Sequence, residues 1–158
     1  MRLQDHLIET TRNAMEEAFR YAKAVPEDRL NWQPLDAGRS VLDMARELAK
    51  CPDWACDVLD GKGMQEDPDE DSAAEMGAWA SIEECEAVSK EKLARYFAFI
   101  AGYPDVKLAE TIDLPYGPGG SMRTFTMAEL MDYPRWNAAY HQGQIAYIQT
   151  LYGDTASH

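Results

Sequence analysis

The stretch from Trp136 to Asp154 combines helical apolar periodicity with Gly153 as a stop signal, and it predicts one long helix. At about 100° of rotation per residue, Leu130, Ala138, Ile145, Ile148 and Tyr152 share one side of it. Asn137, His141 and Gln144 fall on that same side, spaced i, i+4 and i+7, inside the arc that should be core. An amphipathic helix normally keeps such groups in water. Buried polar groups need partners: another side chain, a water, an ion or a ligand. Whatever the chain folds into must therefore supply interior partners for an amide, an imidazole and a second amide.

Three further amphipathic segments precede this one. Leu3 to Ala24 places Leu7, Ala14, Ala18, Tyr21 and Val25 with Leu3 on one face, and Pro26 ends it; His6 falls at the rim. Ser40, with Asp43 three residues on, caps a second helix reaching about Leu59. Its inner stripe is Val41, Met44, Ala45, Leu48, Pro52, Ala55 and Leu59, its wet face Arg46, Lys50, Asp53 and Asp57, and Pro52 is expected to bend or break it. Glu47 lies at the boundary of the stripe, close in azimuth to Cys51 and Trp54. Residues 62–80 read as a long acidic loop whose densest part is Gln65 to Asp71. Ser81, with Glu84, caps a third helix with a stripe of Ile82, Cys85, Val88, Lys92, Leu93, Tyr96, Phe97 and Ile100. Leu114 to Gly120 is turn chemistry between two short β-prone pieces, a loose hairpin. Thr126, with Glu129, caps the last helix, and Pro134 is expected to kink it.

Four amphipathic helices in 158 residues predict a single all-α domain over residues 1–158. The architecture expected is an antiparallel four-helix bundle whose long connections allow crossovers. The formal net charge of −13 argues against nucleic acid or an anionic membrane as partner. No apolar run approaches the roughly 20 residues that span a bilayer. The three cysteines, Cys51, Cys56 and Cys85, form no Cys-x-x-Cys pair, and the first residues lack the apolar run of a signal peptide. The expectation is a cytoplasmic protein with reduced thiols.

Residues four apart on a helix can aim at one point, so Asn137 and His141 can share a target. A carboxylate from a facing helix would complete a metal site of the kind helical bundles build, and Glu47 is the best-placed one. Imidazole and carboxylate suit zinc, nickel, iron or manganese, whereas an amide oxygen is a poor donor. A buried hydrogen-bond network with water explains the same stripe equally well.

Two stretches resemble a known family. Ser40 to Leu48, followed by Asp53-Trp54, is similar to the second-helix motif of the DinB-like (YfiT-type) family. Asn137 to Ile145, closing with Leu151 to Asp154, is similar to that family's last-helix motif, His-x-x-x-His-x-Gly-Gln. The resemblance implies a four-helix bundle, commonly a homodimer, with a divalent metal on three histidines and, in some members, thiol-dependent transferase or isomerase activity. The ligand positions carry Glu47, Asn137 and His141 here, so only His141 keeps the family's ligand type. Two functions are therefore open. One is a metal-dependent transferase or hydrolase with a degenerate site at Glu47, Asn137 and His141. The other is a non-catalytic bundle that has lost the metal and binds a small molecule. Cys51, Trp54, Tyr140 and Gln144 are the expected pocket or supporting residues; no catalytic residue and no substrate can be read.

Overall fold

The computed structural model describes residues 1–62, 70–116 and 118–158. Most of the acidic run, Gln65 to Asp69, and Gly117 of the turn lie outside the described residues. The elements are α1 (Leu3–Lys23), α2 (Val41–Leu59), α3 (Glu70–Ala78), α4 (Ile82–Ala101), β1 (Thr111–Leu114), β2 (Arg123–Thr126) and α5 (Met127–Leu151). Among the described residues no helix is long and apolar enough to cross a membrane.

The four long helices form the all-α bundle expected. Around its core they follow the order α1, α5, α2, α4, each packing on its neighbours. Arg2 meets Ala101 and Lys23 meets Glu86, so α1 and α4 run antiparallel. Trp54 stacks near Tyr133 while Glu47 meets His141, so α2 and α5 are antiparallel as well. Along α2 and α4 the pairs ascend together, Arg46 reaching Trp79 just before α4 and Asp53 reaching Lys92, so these neighbours are parallel. A parallel pair needs a connection that travels back along the bundle, and the long joins supply it. The join from α4 to α5 carries the expected hairpin, β1 and β2 pairing Thr111 with Thr126 through Leu114 with Arg123.

All three expected caps form: the Ser40, Ser81 and Thr126 hydroxyls accept from the backbone N–H of Asp43, Glu84 and Glu129. Every residue of the expected α2 stripe is buried. On α1 the buried side is turned by about one position from the expectation. It runs through Gln4, Leu7, Thr11, Met15, Ala18 and Ala22, leaving Leu3 exposed. The reason is polar: Gln4 donates to the Tyr103 carbonyl (3.0 Å) and Asp105 (2.8 Å), fixing an amide in the core that apolar periodicity assigns to water.

Neither proline breaks its helix: α2 is continuous through Pro52 and α5 through Pro134. Near Pro134 the Tyr96 hydroxyl donates to the Met131 carbonyl at 2.5 Å, in the turn whose backbone bonding the missing N–H disturbs.

The larger difference is α3, a helix inside the segment read as loop. It has no apolar stripe to announce it; charge holds it. Glu75 bridges Lys50 of α2 (2.7 Å) and Lys92 of α4 (2.9 Å), and Lys92 also meets Asp53 (2.8 Å). Arg46 donates to the carbonyls of Trp79 (3.0 Å) and Gly77 (3.5 Å), capping the helix's carbonyl end with a cation. The face of α2 expected to be wet is thus half-covered. Lys92→Met should lower stability by about 1–3 kcal/mol, because Asp53 and Glu75 lose their shared cation. Urea unfolding measures the loss, and hydrogen exchange should accelerate first in the amides of α3.

Candidate functional site

The polar stripe of α5 meets α2 at one atom. Glu47 Oε1 accepts from Asn137 Nδ2 at 3.0 Å and pairs with His141 Nε2 at 2.9 Å. Behind it, His141 Nδ1 pairs with Gln144 Oε1 at 2.7 Å. Glu47 Oε2 is bound by the Arg39 guanidinium. Asn137 and His141 are fully buried, whereas the Glu47 side chain keeps 38% of its surface and the Arg39 side chain 46%. The network therefore runs from a closed interior to an open mouth.

Arg39 reaches Glu47 because it stands just before the Ser40 cap, where the chain enters α2. The turn delivering it places Leu35 (φ 57°) and Asp36 (φ 52°) in the left-handed region. Gly38 follows, where an added Cβ would lie 2.9 Å from Pro34 Cδ. A side chain at that position would push the turn, and Arg39 with it, away from α2.

Burial alone would raise the Glu47 carboxyl. The hydrogen bonds from His141 and Asn137, the His141 interaction and the Arg39 contact overcome this and hold it at about 2. An ionised carboxylate only accepts, so the proton in the Glu47–His141 contact sits on Nε2, and because an amide oxygen likewise only accepts, Nδ1 donates in the contact with Gln144 Oε1. A carboxylate this weakly basic is a poor general base, and His141, 1% exposed, is shielded by it from the cleft. The arrangement is suited to holding charge in place rather than to moving protons.

Outside this network lies a cleft of about 410 Å³. Its walls include Glu47, Cys51 and Trp54 of α2, Met76 of α3, Tyr133 and Asn137 of α5, and Tyr116 from beyond β1. Cys51 and Trp54 line this cleft, and Gln144 lies behind His141. Tyr140 does not line the cleft; it is half-exposed, stacked on Trp136 at 5.3 Å, with its ring edge-on to the imidazole. Its azimuth carries it to the outer surface of α5. Arg39, Tyr116 and Tyr133 are among the cleft residues not anticipated, as are Asp43, Arg46, Lys50 and Met76. Tyr133 lies one turn before Asn137, so periodicity held the signal; Trp54 packs on it at 4.4 Å and its hydroxyl bonds that of Tyr116.

As donors to a metal, these side chains are already committed. Both Glu47 oxygens are engaged, one by a guanidinium that supplies positive charge of its own. Asn137 turns its NH₂, which has no lone pair to give, toward the shared point. The Cys51 thiol is pushed far above its usual range by burial and by the Glu47 charge. Among the described residues no group of three or more His, Cys, Asp or Glu side chains is arranged to hold a metal ion. One imidazole and one saturated carboxylate do not fit a zinc-like centre, which takes at least three protein donors.

Glu47 also sets a pH dependence. Its folded carboxyl lies below the ordinary value of 4.5, so its contribution is present above that value and is lost as pH falls from 4.5 toward about 2. Glu47→Gln should therefore cost about 1–3 kcal/mol at neutral pH. The gap between the urea midpoints of wild type and variant should close as pH falls through that range.

No family model and no curated protein matches the chain. Its structure is similar to that of YfiT from Bacillus subtilis, described as a probable metal-dependent hydrolase with an unusual four-helix bundle topology. The match has a TM-score of 0.72 and covers 95% of this chain and 87% of that one, at 16% sequence identity. That similarity, together with the helix order and crossovers above, is one of architecture: the chain has the YfiT-like four-helix-bundle fold.

Proposed function

We propose that the chain is a DinB-like protein that binds a small molecule in the cleft between α2 and α5, with an Arg39–Glu47–His141–Asn137 network standing where the family holds its metal. The observation that carries this reading is the saturation of Glu47. One oxygen serves Asn137 and His141, and the other serves Arg39. The Arg39 cation neutralises the Glu47 carboxylate, and Asn137 and His141 tie α5 to α2 through it, the cross-link that a metal ion provides in a three-histidine site. The cleft outside is concave, largely apolar and rimmed by a few polar groups, the usual character of a ligand site.

One observation favours a second reading, a metal-dependent hydrolase of the kind YfiT is described to be. Asn137 Oδ1 is buried with no hydrogen-bond partner among the described residues. Turning the amide over would bring that oxygen to the Glu47–His141 point, an arrangement that only a cation between them would stabilise.

Metal analysis separates the two. Protein purified without a nickel column, dialysed against zinc, nickel, manganese or iron and desalted should retain no stoichiometric metal. Its thermal midpoint should not rise with any of them. One equivalent of metal per chain, lost in His141→Ala, would establish the second reading and overturn the first.

A further inference from the structure

We infer that the cleft takes a small organic anion with a planar, apolar body, its acidic group held between Lys50 and Arg39. The inference rests on the cleft being a ligand site and names the class of ligand.

The first observation is a local inversion of charge. The chain carries 28 acidic against 15 basic residues, yet the cleft walls hold Arg39, Arg46 and Lys50 against Asp43 and Glu47. In a protein whose field repels anions, such an island is where an anion can settle. Both carboxylates are already spent. Asp43 accepts from Ser40 Oγ (2.7 Å) and Arg46 (3.2 Å), and Glu47 is saturated. Among the described residues a cationic ligand would therefore meet no unpaired carboxylate in the cleft lining.

The cations differ in how freely they can turn to a ligand. Arg46 is fixed by the Trp79 carbonyl and Asp43. Arg39 is half-exposed at the mouth, with Nη1 on Glu47 and Nη2 on the Asp43 carbonyl at a long 3.5 Å. Among the described residues Lys50 is held by Glu75 Oε2 alone, and Glu75 keeps a second partner, since its other oxygen pairs with Lys92. Lys50 can pass to a ligand while Glu75 remains in an ion pair. The exchange leaves no buried charge alone, which is the condition for it to be cheap.

The walls specify the rest of the ligand. Trp54 and Tyr133 lie 4.4 Å apart between centroids, with Tyr116 edge-on to Tyr133, beside Cys51 and Met76. Such surfaces gain from contact with a flat apolar body and give nothing to a bare inorganic ion. The cleft, about 410 Å³, lies in the range that encloses a ligand of two or three rings.

Two fluorescent probes that share one body test this: anilinonaphthalene sulfonate, and N-phenylnaphthylamine, which lacks the acidic group. The sulfonate should bind one per chain, at least about tenfold more tightly than the neutral probe, and should weaken with added salt. Lys50→Gln should weaken it about tenfold, leave the neutral probe unchanged and keep a cooperative urea transition; Lys50→Arg should restore affinity, and Arg39→Gln should weaken the sulfonate by a similar factor. Equal affinity for the two probes, or sulfonate binding undiminished in both variants, would overturn the anion assignment while the cleft remained a ligand site. Binding of neither probe would remove the ligand site itself.

Discussion

A single carboxylate oxygen, Glu47 Oε1, holds together the two halves of this bundle's polar interior. It lies within 3.0 Å of Asn137 Nδ2 and 2.9 Å of His141 Nε2, and both of those side chains are excluded from water. A buried amide and a buried imidazole each carry a substantial desolvation cost when unpaired, so α5 can present its polar stripe inward only if α2 answers it. Glu47 in turn can ionise there because hydrogen bonds from His141, Asn137 and Arg39, with the His141 interaction, outweigh the cost of burial. The register of α5 against α2, the position of the chain entering α2 and the depth of the cleft all depend on that balance.

The same economy of charge organises the cleft's outer wall. Its second polar cluster, Lys50, Glu75, Lys92 and Asp53, joins α2, α3 and α4 and is the main tie between α3 and the bundle. Half-buried ion pairs of this type are weak as sources of net stability but exacting about geometry. Here they place Met76 over the cleft and leave Lys50 with a partner that can spare it. The inner network and the outer cluster meet along one face of α2, where Arg46, Glu47 and Lys50 follow one another within a single turn.

The helices and three of their caps were legible in the sequence because periodicity and Ser or Thr followed by an acidic residue are local signals. So was the convergence of Glu47, Asn137 and His141, since helical spacing fixes two of them on one face and the resemblance pairs them with the third. What could not be read was held by long-range polar contacts. The buried side of α1 is set by Gln4, which apolar counting places outside, and α3 exists through Glu75 and Arg46 rather than through a stripe. Arg39 depends on a left-handed turn at Leu35 and Asp36, and Tyr116 on where a hairpin loop comes to rest. Tyr133 is different; it lies on the stripe, one turn before Asn137, and its spacing was there to be used. Tyr140 shows the reverse, an aromatic neighbour of His141 whose azimuth points it to solvent.

The protonation of His141 is the most direct test of whether this interior is closed by side chains alone. Its ring nitrogens can be observed by long-range ¹⁵N–¹H correlation in uniformly labelled protein, before and after addition of excess zinc. A proton on Nε2, hydrogen-bonded to Glu47 and undisturbed by zinc, is the expected result. An Nε2 that has lost its proton and shifts on titration with the metal would contradict the network described here.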